Sequence, residues 1–193
     1  MKPEFLKTLN FAIVERFPNL KKKKKKYLFN SFGNIIKLTH YNDISEVKLE
    51  NAYILANEIF DAFPCDLVYT NEKGILQQAY VSNHQIKFVD CNNENIINHC
   101  KKYSIIKGEV ALSYKDFVKT LCQNIKSFEF LTFDYGDRYP RNDFSTRVYE
   151  KHAVYPIFEE NLALEKLFKT SDITYDVHFN YLKDCFLHCN ISN

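Results

Sequence analysis

Glycine is scarce. Four glycines occur among 193 residues, at Gly33, Gly74, Gly108 and Gly136, each isolated from the others. That spacing excludes a Walker phosphate loop and leaves no glycine-rich turn after a first strand. Tryptophan is missing, methionine occurs once and proline five times. No apolar run reaches the roughly 18 residues that a membrane-crossing helix needs. The N-terminal run is too short and too polar for the core of a secretory signal. Gly-x-Ser-x-Gly, a metal-ligating His pair and Cys-x-x-Cys are all absent, which removes the common signatures of hydrolases and zinc sites. Neither sign of charge dominates: 26 Lys and Arg face 24 Asp and Glu, a net of +2. A chain with that balance is no general nucleic-acid binder.

What is present is globular. Hydrophobic residues make up 46% and aromatics 16%, enough for one domain with a real core. Six cysteines stand at Cys65, Cys91, Cys100, Cys122, Cys185 and Cys189. The even count would suit a disulfide framework, but no secretory signal precedes it, so reduced thiols and a cytoplasmic location are expected. Cys185, His188 and Cys189 fall on one helical turn. They read as buried free thiols before they read as a zinc site. Lys21 to Lys26 is an unbroken run of six lysines. It suits either a phosphate-binding patch or a solvated helix face, and the solvated face is favoured.

Periodicity predicts a strand at Asn10–Glu15, then a helix from Pro18 to about Asn30, with proline in its first turn. Gly33-Asn34 breaks it. Strands follow at Ile35–Thr39 and Ala52–Ala56. This alternation is the rhythm of a parallel α/β sheet. The pattern then changes. Asp66–Thr70, Ile75–Val81 and Gln85–Val89 alternate about turn residues and predict an antiparallel meander. A helix is expected over Glu94–Tyr103, a short extended piece at Glu109-Val110, and a helix from Ser113 to about Ser127. Ser113 and Asp116 resemble a capping box there. Phe128–Phe133 reads as a strand, residues 137–172 as a long polar loop, and Val177–Cys189 as a final helix.

The richest stretch is Ala52–Pro64, AYILANEIFDAFP. An apolar run stops at Asn57-Glu58, Asp61 follows three residues later, and Pro64 closes the segment. Two readings stand. Asn57 caps a helix, with Glu58 complementing its dipole. Alternatively, the strand end carries ligand-binding side chains, as the carboxyl ends of strands in open α/β sheets do. Local pattern alone favours the cap. Glu15, which closes the first strand, is equally open: an ordinary strand-end acid or an acceptor for ribose hydroxyls.

Several segments together resemble one family, the MidA-type S-adenosylmethionine-dependent methyltransferases. Its mitochondrial members are protein-arginine methyltransferases tied to assembly of respiratory complex I. The family pattern LANELLDALP stands here as LANEIFDAFP (Leu55–Pro64), and IDYG as FDYG (Phe133–Gly136). A TLRxYxxHxVxDP-like stretch stands as STRVYEKHAVYP (Ser145–Pro156), and a DITAHVDF-like one as DITYDVHF (Asp172–Phe179). Within these, Tyr155 replaces the family's Asp, and Asp176 and His178 stand where the family has His and Asp. Ile13–Glu15 fits the second family strand, and Glu109 also matches.

The resemblance implies a Rossmann-like class I methyltransferase sheet of α/β class, incomplete at its N-terminus, with an inserted antiparallel β-meander. The implied layout is one partial domain over 1–193. Sheet core occupies 9–64 and 105–136, the inserted meander and helix 65–104, and the long loop and C-terminal helix 137–193. The family's first strand and glycine-rich loop would precede residue 1, so a separately encoded N-terminal fragment or self-association is an expected partner. The cofactor implied is S-adenosyl-L-methionine. Glu15, Asn42, Asp43 and Asn57 would bind it. Glu58 is the candidate substrate-side catalytic carboxylate, with Asp61 and Asp134 behind it. Tyr135, Arg147 and His152 would shape the substrate channel. The implied substrate is a protein arginine, with a respiratory-complex subunit as one candidate; no metal, nucleic acid or membrane insertion is expected. The alternative is an inactive interaction module of the same family.

Overall fold

The computed structural model describes residues 3–151, 153–160, 162–167 and 170–190. Along the chain come α1 (Pro3–Thr8), β1 (Asn10–Val14), α2 (Pro18–Phe32), β2 (Lys37–Tyr41) and β3 (Leu49–Asn57). Next are β4 (Asp66–Thr70), β5 (Leu76–Ser82), β6 (Gln85–Asp90), α3 (Glu94–Tyr103), β7 (Lys107–Val110), α4 (Ser113–Asn124) and β8 (Ile125–Phe133). The chain continues through β9 (Gly136–Asp137), β10 (Arg147–Glu150), β11 (Ala153–Pro156), α5 (Leu164–Leu167), β12 (Asp172–Thr174), β13 (Val177–His178) and α6 (Phe179–Asn190). Single 3-10 turns occupy Ile44–Glu46 and Phe60–Ala62. The class is mixed α/β, as expected. The chain forms two compact units: Met1–Ala52 with Thr120–Phe128, and Tyr53–Lys119 with Glu129–Asn193.

In the first unit β1 and β2 pair in parallel, Asn10 opposite Lys37 through Val14 opposite Tyr41. A parallel pair needs a crossover, and α2 supplies it. Pro18 sits in the first turn of α2, and Gly33 ends it at φ +57, its N–H donating to Phe29 O. No residue of α2 is buried. The six-lysine run therefore lies on a solvated helix, the plainer of its two readings.

Among the described residues, most of the buried hydrophobic ones belong to the second unit. β4, β5, β6 and β7 form one antiparallel sheet in the order β6-β5-β4-β7. The three-strand meander is where the alternation placed it. The sheet's fourth strand, β7, pairs antiparallel with β4, Val110 opposite Asp66 through Lys107 opposite Tyr69. Asn93 caps α3 by accepting from the N–H groups of Asn95 and Ile96, as an N-cap side chain does. Ile96 and Cys100 of α3 then bury against Val68, Cys91, Ile105 and Val110. His99 lies between the Tyr103 and Tyr181 rings. Burial, and then the neighbouring His178 and Lys102, push its pKa down to about 4, so it is neutral at pH 7.

Ser113 is the first residue of α4, and its hydroxyl donates to Pro64 O. Two expectations need correction. The polar stretch 137–172 is not one loop. It holds β10 and β11 and ends where β12 begins, and these form a small antiparallel sheet ordered β11-β10-β12, with Val148 fully buried. Strands of three or four residues are too short to show alternation. Cys65, Cys91, Cys100 and Cys185 are free thiols, but Cys122 and Cys189 are disulfide-bonded and depart from the reduced state expected of all six.

Candidate functional site

β3 ends at Asn57, and the backbone then turns sharply. Glu58 takes φ +48, a left-handed conformation uncommon for a residue with a side chain. Its N–H donates to Phe133 O (2.8 Å), which ties the turn to the end of β8. The N–H groups of Ile59 and Phe60 both donate to Asp134 Oδ2, at 3.1 and 2.9 Å. Phe60 O accepts from the Tyr114 hydroxyl (2.9 Å), and Asp61 O accepts from Tyr175 N (3.1 Å). Glu58–Asp61 is thus held by backbone hydrogen bonds from four directions. Asn57 is not the cap of the 3-10 turn: the cap position is Ile59, which supplies no side-chain bond. The capping oxygen comes from Asp134, 75 residues from Ile59 in sequence.

One turn thus carries Glu58 and Asp61 and binds the Asp134 carboxylate through its backbone. Asp61 is 5% exposed. Burial raises its pKa above the ordinary 3.8, the charges of Asp134 and Glu58 raise it further, and Arg147 works in the opposite direction. Such a group prefers the protonated form, so its favourable contribution is present at low pH and is lost as pH rises through its raised folded value. Asp61→Asn removes that cost. The substitution is expected to stabilise the fold at pH 7 and to do less near pH 4, as read by urea midpoints at both pH values. An equal gain at both would remove the electrostatic explanation.

FDYG secures the other side. Asp134 Oδ1 accepts from Tyr135 N (3.0 Å), and Tyr135 O accepts from Val177 N (2.8 Å). Gly136 pairs in parallel with Val177. The Tyr135 side chain is exposed. Arg147 is not a free cation: its Nη1 donates to Asp176 Oδ1 (2.7 Å) and its Nε to Tyr149 Oη (3.0 Å). Arg141 takes the other Asp176 oxygen at 2.8 Å. The Glu109 carboxylate accepts from Ser145 N and Thr146 N (2.8 Å each) and from both hydroxyls. It thereby pins the segment that leads into Arg147. Gly108, Glu109, Arg141, Asp176 and His178 line a small cleft of about 30 Å³, room for about one water.

In the first unit, Glu15 follows β1, and Asn42 and Asp43 follow β2. Glu15 Oε2 takes Lys24 Nζ (2.5 Å), and Oε1 takes Phe17 N (3.1 Å). The hydrogen bond from Lys24, and then that from Phe17, hold the Glu15 pKa below its ordinary value. Asn42 Oδ1 accepts from Lys21 Nζ (3.2 Å), and Asn42 also donates to Glu46. Asp43 Oδ1 caps the 3-10 turn by accepting from Ser45 N (3.0 Å) and Ser45 Oγ (2.7 Å). The backbone and then the side chain of Ser45 lower its pKa.

Of the residues singled out in the sequence, Glu58, Asp61 and Asp134 come together, with Arg147 in electrostatic reach of Asp61. Glu15, Asn42 and Asp43 belong to the other unit, and His152 lies outside the described residues. Sequence reasoning missed Tyr114, Arg141 and Tyr175. Nothing local marks a tyrosine whose function is to bond a distant carbonyl.

A family model described as "Putative S-adenosyl-L-methionine-dependent methyltransferase" matches residues 1–192 of the chain. No curated protein and no solved structure matches it.

Proposed function

The chain belongs to this family of S-adenosyl-L-methionine-dependent methyltransferases, and from that premise we propose that it methylates a protein arginine. The wider architecture we infer is a Rossmann-like sheet of the MidA type. What supports the acceptor reading is one turn that carries an exposed Glu58 and a buried Asp61 three residues apart, beside the buried Phe60–Tyr114 ring pair. A guanidinium is a planar cation with several N–H donors, and carboxylates bind it through charge-assisted hydrogen bonds. Two acids that repel each other gain most when a cation enters between them. Glu58 orients the acceptor nitrogen and keeps its lone pair free of the delocalised charge. Asp61, protonated more readily than an ordinary carboxylate, takes up the proton that the nitrogen releases.

S-adenosyl-L-methionine supplies an electrophilic methyl group on a sulfonium. The first unit's residues fit its adenosine part: Glu15 offers an ionised carboxylate, whose lowered pKa keeps it an acceptor for ribose hydroxyls. Asn42 and Asp43 are the further polar groups of the same unit proposed to hold it.

A thermal shift with S-adenosylmethionine or its demethylated product tests binding. Ligand at about 100 times its dissociation constant is expected to add about 2.7 kcal/mol. No shift at millimolar ligand would favour a non-catalytic interaction module. Methyl transfer to arginine-rich protein substrates tests the chemistry. Glu58→Gln is expected to lower kcat by about 100-fold while the cofactor dissociation constant stays the same. Unchanged turnover would take Glu58 out of the acceptor site.

A further inference from the structure

The geometry points to Asp134 as a positioning residue: its carboxylate holds the backbone of Glu58 in the left-handed conformation that directs the Glu58 side chain. This inference rests on the reading of Glu58 as the acceptor-side carboxylate. Glu58 at φ +48 is followed by Ile59 at φ −116, ψ −32. A left-handed residue beside a right-handed one turns successive N–H groups to the same side and forms a nest for an anion. Here the anion is a side chain. Asp134 Oδ2 receives both Ile59 N (3.1 Å) and Phe60 N (2.9 Å). Glu58 N is meanwhile bonded to Phe133 O, the residue just before Asp134. Both ends of the turn are therefore fixed to one dipeptide, Phe133-Asp134.

The other Asp134 oxygen is also engaged, with Tyr135 N at 3.0 Å. Both oxygens thus face backbone donors. The residue acts through Glu58. It also supplies part of the negative potential that shifts Asp61. An unusual backbone conformation persists only where the surroundings over-determine it, and Asp134 is the group that does so.

Amide hydrogen exchange and the Glu58 amide–Hα coupling constant, in wild type, Asp134→Asn and Asp134→Ala, read the backbone directly and need no substrate. In Asp134→Ala, protection at Ile59 and Phe60 is expected to fall at least 10-fold, and the coupling to leave the left-handed range. Asp134→Asn keeps one oxygen and is expected to retain part of both. If Asp134→Ala does not fold, the Asn variant alone decides, because wild-type protection at both amides in it would overturn the proposal. A Glu58 conformation unchanged in Asp134→Ala would overturn it as well.

Methyl transfer from S-adenosylmethionine to an arginine-glycine peptide supplies the second readout. Asp134→Ala is expected to lower kcat about 100-fold with cofactor affinity intact. In a Glu58→Gln background it is expected to add less than about 3-fold, since residues acting as one unit are not additive. Two losses that multiply would make Asp134 independent of Glu58 and end the assignment. If wild type fails to transfer, the acceptor reading fails. The backbone measurements still decide what Asp134 does.

Discussion

Gly136→Ala is expected to lower the unfolding free energy by about 3–5 kcal/mol. A Cβ at this position would lie 2.1 Å from Val177 O, 2.7 Å from Val177 N and 2.8 Å from Val177 C. All three atoms are backbone, so no side chain can swing aside. Relief requires β13 to move away from β9. That motion stretches the Val177 N to Tyr135 O bond of 2.8 Å and drags the chain that carries Asp176 and the Tyr175 N to Asp61 O bond. Overpacking of this kind costs about 1–3 kcal/mol, and each disturbed buried hydrogen bond adds about 0.5–1.5 kcal/mol. For a chain of this size the melting temperature should drop by about 10 °C. Gly74→Ala is the control, since nothing lies within 4 Å of its Cβ position. Left-handed backbone strain alone should cost Gly74→Ala about 1 kcal/mol. Equal losses at the two positions would mean that the β9–β13 contact is not the constraint. The loss at Gly136 also reaches the proposed acceptor site, because Val177 and Tyr175 belong to the same short stretch as Asp176, the partner of Arg147.

Phe60→Ala is expected to cost about 3–5 kcal/mol, the range for removing a buried phenylalanine ring. Phe60 is completely buried. Its ring centroid lies 5.2 Å from Tyr114, 5.3 Å from Phe63, 5.6 Å from Phe117 and 5.9 Å from Phe130. Tyr114 and Phe117 meet it edge-on, the favoured aromatic geometry, which adds about 0.5–1.5 kcal/mol per pair beyond area. Phe60→Leu keeps most of the volume and is expected to cost about half as much. Urea unfolding with an unchanged m-value checks both. A loss below about 1 kcal/mol for Phe60→Ala would show that the cluster collapses to fill the space. Phe60 stands between Glu58 and Asp61 and is itself bonded through N–H and C=O to Asp134 and Tyr114. Phe60→Ala should therefore reduce methyl transfer more than a distant core substitution of equal cost.

The two readings of Ala52–Pro64 resolve unevenly. Periodicity ended a strand at Ala56, one residue short of the end of β3, and read a helix before Pro64 where a single 3-10 turn stands. It assigned the cap to the nearest suitable side chain, as propensity must. The oxygen that satisfies the free N–H groups belongs to Asp134, across the end of β8, and no local pattern carries that pairing. The polar stretch 137–172 failed in the same way. Its strands are short, and what makes them strands is pairing with each other and burial of Val148.

The cationic groups behave alike. From the sequence, Arg147 is a candidate for a channel. In the fold, Asp176 and Tyr149 occupy it. The lysine run was legible as a solvated helix, yet not the use of Lys24 on Glu15 or of Lys21 on Asn42.

The amino-acid sequence by itself determined the α/β class, the meander, most helix and strand positions and the methyltransferase family. The elements follow from periodicity and turn chemistry within about ten residues, where side-chain spacing and backbone preference act directly, and the family from the resemblance of short segments such as LANEIFDAFP and FDYG. The tertiary structure alone decided that Asp134 caps the Glu58 turn, that Asp61 is buried among like charges, and that Gly136 has no room for a methyl group. The deciding pairs stand far apart along the chain, Gly136 and Val177 by 41 positions and Asp134 and Ile59 by 75. The energies involved are those of burial and of hydrogen bonds that exist only after the chain has closed.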